Sequence, residues 1–125
     1  MKIALIGYGK MGKAIEEIAV SKGHEVLLKI SSHNLSDFTK ENLQKADVAI
    51  EFTNPHSAFE NVMKCIGWKI PVVCGSTGWL EKFAETIKSV ELNNVAFLYA
   101  SNFSVGVNIF FEVNKKLSQL MSGQS

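Results

Sequence analysis

The chain has 125 residues, with thirteen basic against twelve acidic side chains and a net charge of +1. That length suits one domain with a sizeable core, and that balance argues against nucleic acid or a membrane surface as partner. Its two cysteines, Cys65 and Cys74, stand outside any CxxC or Cys/His cluster, which argues against zinc or any other metal and against a disulfide framework, and reads both as small buried apolar residues.

The chain leads straight into an apolar run, with no charged leader, signal region or membrane span, which predicts a cytoplasmic protein. That run, Lys2 to Ile6, reads as a strand. It enters Gly7-Tyr8-Gly9-Lys10-Met11-Gly12, followed by a helix over Lys10 to Ser21 with Met11, Ala14, Ile15, Ile18 and Ala19 at helical spacing and Gly23 as its stop. Further strands are expected at Glu25 to Ile30, Asp47 to Phe52, Ile70 to Cys74 and Val95 to Tyr99. Helices are expected at Pro55 to Ile66 and Leu80 to Val90, with a short one near Thr39 to Gln44. Asn54 caps the helix that opens with Pro55. A last helix is expected after Ser104, carrying Val105, Ile109, Val113 and Leu117 on one face.

Continuously apolar strands are buried on both faces, as in a parallel sheet sandwiched between helices. The alternation therefore predicts a single α/β domain over residues 1–125, a doubly wound, Rossmann-like parallel sheet with strand order 3-2-1-4-5. In such a sheet the glycine turn after the first strand cradles a pyrophosphate. Gly7 permits the tight turn, Gly9 lets the backbone approach the phosphates, Gly12 allows close helix packing, and the N–H groups of the helix's first turn face the anion. Gly7, Tyr8, Gly9, Lys10, Met11 and Gly12 are thus the first candidate cofactor residues; a purely structural Gly-rich turn is the plainer alternative.

The second strand is followed by Lys29-Ile30-Ser31-Ser32-His33-Asn34, which lacks the carboxylate that usually reads an adenosine ribose. Hydroxyls, an amide and a nearby Lys or His can donate to a 2′-phosphate, so the cofactor is NADPH or NADH, with the balance tilted toward NADPH. A solvated loop, or a site that takes either cofactor, fits the same residues.

Ligands of doubly wound sheets lie at the carboxyl ends of the strands. There the chain reads Glu51-Phe52-Thr53-Asn54-Pro55, Cys74-Gly75-Ser76-Thr77-Gly78-Trp79 and Ala100-Ser101-Asn102-Phe103-Ser104-Val105-Gly106-Val107-Asn108. With GYGKMG, the EFTNP, VCGSTGW and SNFSVGVN segments resemble the 4-hydroxy-tetrahydrodipicolinate reductases (dihydrodipicolinate reductases) of bacterial diaminopimelate and lysine synthesis, in the same order along the whole chain. The resemblance implies a pyrophosphate held by Gly7 to Gly12 and a ribose-reading position at Ser31. It places Phe52 and Thr53 at the adenosine-ribose side, Gly75, Ser76 and Thr77 around the nicotinamide ribose, and Ala100, Ser101, Asn102 and Phe103 at the carboxamide. It also implies an oxidoreductase delivering a hydride to a cyclic imine dicarboxylate, and a homotetramer for the intact enzyme.

Members of that family look about twice as long, and their second half carries a His-His-x-x-x-Lys type motif and a Ser-Gly-Thr segment for the substrate. Neither occurs here, so this chain is expected to be the cofactor domain without the substrate and tetramerisation domain. None of His24, His33 and His56 is well placed as a general acid, since position decides over residue type. No catalytic residue is therefore assigned. Trp79, beside Gly78, could lie over the cofactor, whereas Trp68 is expected to shield the sheet edge. Two other readings stay open: a stand-alone NAD(H)-sensing module that regulates a partner, and a coenzyme A or mononucleotide site on the same turn.

Overall fold

Apolar runs have to find cover, and five of them line up in one parallel sheet whose central strands are the most deeply buried. The computed structural model describes residues 1–99. Its elements are β1 (Lys2–Ile6), α1 (Lys10–Ser21), β2 (Glu25–Ile30), α2 (Lys40–Leu43), β3 (Val48–Glu51), α3 (Pro55–Gly67), β4 (Val72–Cys74), α4 (Phe83–Asn93) and β5 (Phe97–Tyr99). Short 3-10 turns occupy Leu35–Asp37 and Leu80–Lys82. The helix expected after Ser104 lies outside the described residues.

Side chains alternate along each strand and so divide the core into two layers. Ile3 and Leu5 of β1, Val48 and Ile50 of β3 and Val73 of β4 meet Ile15 and Ala19 of α1. Ala4, Ile6, Ala49, Val72 and Cys74 face the other way, onto Ala58, Val62, Cys65 and Ile66 of α3. The expected core stripe of α1 holds at Ile15, Ile18 and Ala19, but Ala14 is exposed and Met11 is 39% exposed. Both cysteines are buried free thiols, and burial pushes them up, that of Cys65 to about 12.

The sheet is doubly wound as expected, but its order is β2-β1-β3-β4-β5 and not 3-2-1-4-5. Every residue of β3 is buried, so that strand needs a neighbour on each side and takes β1 and β4. Strand β2 exposes Glu25 and Lys29 and only half buries Val26, Leu27 and Leu28, which suits it to the edge. The chain therefore reverses direction across the sheet between β1 and β3, and a crevice opens at their carboxyl ends.

Local chemistry sets the helix starts. Asn54 accepts from the backbone N–H groups of His56 at 2.9 Å and Ser57 at 3.0 Å, with Pro55 in the first turn of α3. Replacing Asn54 with alanine should cost about 1 kcal/mol, measurable as a lower midpoint in urea denaturation at constant slope. Thr39 caps α2 in the same way, its hydroxyl accepting from Asn42 N–H at 3.2 Å. The predicted helix from Leu80 starts as a 3-10 turn and becomes α-helical only at Phe83, then runs past Val90 to Asn93.

Candidate functional site

A cavity of about 570 Å³ occupies the crevice, bounded by the turn Gly7 to Gly12, the segment Ile30 to His33, and Phe52, Thr53 and Asn54. Leu35, Phe38, and Ser57 and Asn61 of α3 complete its lining.

The turn needs its glycines for measurable reasons. Gly7 adopts φ +105, and a Cβ there would stand 2.1 Å from the Phe52 carbonyl oxygen; a Cβ on Gly12 would stand 2.5 Å from the Gly7 carbonyl oxygen. Gly12 thus lets the first turn of α1 close onto the Gly7 carbonyl. Nothing lies within 4 Å of a Cβ built on Gly9, so the space over that backbone is open to a ligand. Gly9 is also the N-cap of α1, with no side-chain hydrogen bond to the cap and no acidic residue in the first turn. The N–H groups at this end therefore have neither a side-chain cap nor a carboxylate in the first turn to answer them, an arrangement suited to an anion such as phosphate. Met11 and the exposed Lys10 line the cavity beside them.

Tyr8 also lines the cavity and reaches α1. Its hydroxyl donates to Glu16, whose carboxylate pairs with Lys29 at 2.6 Å, and the Lys29 ammonium lies 5.1 Å from the centre of the Tyr8 ring. The hydrogen bond from Lys29 holds the Glu16 carboxyl below its ordinary range, and Glu16 in turn raises both Tyr8 and Lys29. Lys29, a candidate donor to a 2′-phosphate by sequence, thus faces Glu16, whereas His33 borders the cavity.

At the end of β2, Ser31 is wound into a tight turn: its N–H and hydroxyl donate to the Asn34 side-chain oxygen at 2.6 and 3.0 Å, and His33 N–H donates to its Oγ at 3.2 Å. The Asn34 amide continues to the Lys29 carbonyl at 2.8 Å and to the Asp37 carboxylate at 3.1 Å. Asp37 is an acid that the Lys29-to-Asn34 stretch does not reveal.

The third wall rests on Glu51, fully buried at the end of β3. Its carboxylate accepts from the Ser76 hydroxyl at 2.6 Å, the Asn61 amide at 3.0 Å, the Cys74 thiol at 3.5 Å and the Thr53 hydroxyl. Thr53 N–H donates to Ser76 Oγ at 2.9 Å, and Gly75 N–H to the Glu51 carbonyl at 2.9 Å. Phe52 and Thr53 line the cavity; Gly75 and Ser76 are buried, the Ser76 hydroxyl turned onto Glu51, and Thr77 is exposed. Sequence reading passed over Glu51, although a lone acid ending an otherwise apolar, doubly buried strand has to find donors.

Trp79 does not lie over this cavity. It is 2% exposed under the sheet, among Phe59, Phe83, Phe97 and Tyr99, and its indole N–H donates to the Ser76 carbonyl at 2.7 Å. Gly78, at φ +85, turns the chain so that Trp79 enters the core. Trp68 packs edge-on against Phe38 at 5.6 Å. His24 sits with the terminal amine at 3.0 Å, lowered chiefly by burial, and His56 is exposed at the start of α3. Ala100, Ser101, Asn102 and Phe103 lie outside the described residues. Among the described residues no His/Cys/Asp/Glu group is arranged to hold a metal ion, and no helix is long and apolar enough to cross a membrane.

Comparison with known proteins agrees with this geometry. The family model described as dihydrodipicolinate reductase, N-terminus, matches residues 1–103. A 4-hydroxy-tetrahydrodipicolinate reductase of Christiangramia forsetii is 46% identical over 98% of this chain and 51% of its own length. That of Staphylococcus haemolyticus is 31% identical over 90% of the chain and 48% of its own length, so the chain spans about half the length of these relatives. Among solved structures, the dipicolinate-bound dihydrodipicolinate reductase from Paenisporosarcina sp. TG-14 superposes with a TM-score of 0.71 at 23% identity, over 84% of this chain and 48% of that one. An NAD-binding protein from Listeria innocua gives 0.65 at 18% identity, over 81% and 35%, and shares the fold. With a glycine turn after β1 and a family match over residues 1–103, the chain belongs to the dihydrodipicolinate reductase family, in the N-terminal part of those enzymes.

Proposed function

We propose that residues 1–125 are the nicotinamide-dinucleotide-binding domain of a 4-hydroxy-tetrahydrodipicolinate reductase. The observation that carries the reading is the N-terminus of α1, without cap or carboxylate, opening over Gly9 into a cavity with the apolar walls Leu35, Phe38 and Phe52. Such a cavity suits a pyrophosphate at the turn and an adenine against the apolar side. Gly7 to Gly12 hold the pyrophosphate, Ser31 reads the adenosine ribose, and Phe52 and Thr53 border it. Gly75, Ser76 and Thr77 approach the nicotinamide ribose, with Ala100 to Phe103 at the carboxamide.

Bound NADH or NADPH supplies the hydride. This chain's part is to hold and orient the dinucleotide. The acceptor is a cyclic imine dicarboxylate of diaminopimelate and lysine synthesis; the groups that bind and protonate it come from the longer stretch that the relatives carry, as does assembly into a homotetramer. The setting is the cytoplasm.

Calorimetric titration of the chain with NADH and NADPH tests this reading: binding of either without turnover of the imine is expected, and binding of neither overturns it. In the same experiment Ser31→Asp should weaken NADPH more than NADH by about 1 to 3 kcal/mol, because a carboxylate at the end of β2 repels a 2′-phosphate and accepts from a 2′-hydroxyl. Equal losses for the two cofactors would remove Ser31 from the ribose.

A further inference from the structure

We propose that Glu51 is a positioning residue that sets the hydrogen-bond polarity of the cavity wall at the end of β3, beside Gly7, making Thr53 an acceptor for a ribose hydroxyl. The inference rests on the dinucleotide reading above and adds the part of the ligand that this wall takes.

A hydroxyl has one proton to give. Those of Thr53 and Ser76 both go to Glu51, one on each carboxylate oxygen. Ser76 Oγ then accepts from Thr53 N–H at 2.9 Å, and Thr53 Oγ1 accepts from the Asn61 amide at 3.4 Å. Among the described residues no lysine forms an ion pair with Glu51, so its carboxylate is answered by these hydrogen-bond donors and the Asn61 amide and Cys74 thiol beside them.

Thr53 lines the cavity, and its remaining lone pair can only accept. A phosphate oxygen, which also only accepts, finds nothing there. An O–H finds a partner. In the same cavity the first turn of α1 and the backbone at Gly9 offer N–H donors without a side-chain cap. The start of α1 and the end of β3 are thus of opposite polarity, and a nucleotide satisfies both when its phosphates face the glycine turn and a ribose hydroxyl faces Thr53. Glu51 touches neither; it acts by holding the protons inward.

The test is a double-mutant cycle on NADH binding to the full chain, with a thermal melt of each protein. Glu51→Gln keeps the volume but replaces one accepting oxygen with a donating NH2, so one of the two hydroxyls has to turn its proton outward. Thr53→Val keeps the shape and removes the acceptor. Each should raise the NADH Kd about tenfold, and the double variant should also stand about tenfold above the unmodified chain. A merely structural Glu51 predicts otherwise: Glu51→Gln would lower the melting temperature and leave NADH binding within twofold, or the two losses would multiply to about a hundredfold. Either result overturns the inference. If Glu51→Gln shows no cooperative melt, Glu51→Asp, which offers only acceptors, takes its place and should bind NADH within about threefold of the unmodified chain; a loss as large as that of Thr53→Val refutes the polarity argument. Failure of the unmodified chain to bind NADH refutes the dinucleotide reading itself, a distinct outcome.

Discussion

Gly7→Ala should lose about 3 kcal/mol of stability and all measurable dinucleotide binding. Two costs combine. At φ +105 any residue with a Cβ is strained, and the added methyl would stand 2.1 Å from the Phe52 carbonyl oxygen and 2.8 Å from its carbon. Both atoms are backbone, and Phe52 N–H is itself tied to the Ile6 carbonyl at 2.8 Å, so the obstacle cannot swing aside as a side chain would. Relief requires the end of β3 to part from the end of β1, which opens the crevice proposed to hold the dinucleotide. Gly9→Ala is the control that separates stability from binding. Its methyl would meet no protein atom within 4 Å, so the denaturation midpoint should hold while the methyl intrudes on the space left for phosphate. Urea denaturation with tryptophan fluorescence, alongside NADH titration, reads both variants; an undisturbed Gly7→Ala would mean that the turn is not the fixed platform described here.

Trp79→Ala should cost about 4 kcal/mol, a large share of the stability of a domain of this size. The indole is buried to 2% and meets Tyr99 at 5.9 Å, Phe83 at 6.0 Å, Phe59 at 6.3 Å and Phe97 at 6.5 Å, so its removal leaves a cavity at the meeting point of β5, α3 and α4. Trp79→Phe should cost about half as much, because it keeps the ring packing and gives up the N–H to the Ser76 carbonyl. The alanine variant should show a sharply lower melting temperature. A small loss would mean that neighbouring rings collapse into the space.

The parts of this molecule that are written locally were legible from the amino acids alone. Strand β1, helix α1 and strand β2 fall at the residues the pattern marks, and Asn54 caps α3 as read, because strand period, helix period and capping depend on near neighbours. Strand order depends on which strand lies beside which, and continuous apolarity says only that a strand is covered. The exposed charges of Glu25 and Lys29 did mark β2 for an edge, a signal the expected order did not use. At the site, the glycine turn could be read because its mechanism is local. The pairing of Lys29 with Glu16 joins a strand to a helix, the Glu51 cluster gathers groups from two strand ends and α3, and the descent of Trp79 into the core follows from the backbone at Gly78. None of these is a spacing.

The place of β1 in the sheet bears on how the nascent chain manages its own stickiness. Ile3 to Ile6 are made before β3 and pair on one side with β2, but their other edge waits for Val48 to Glu51. Until β3 has left the ribosome, this apolar strand offers an open row of backbone donors and acceptors, and shielding it falls to α1 and to whatever chaperone stands at the tunnel exit.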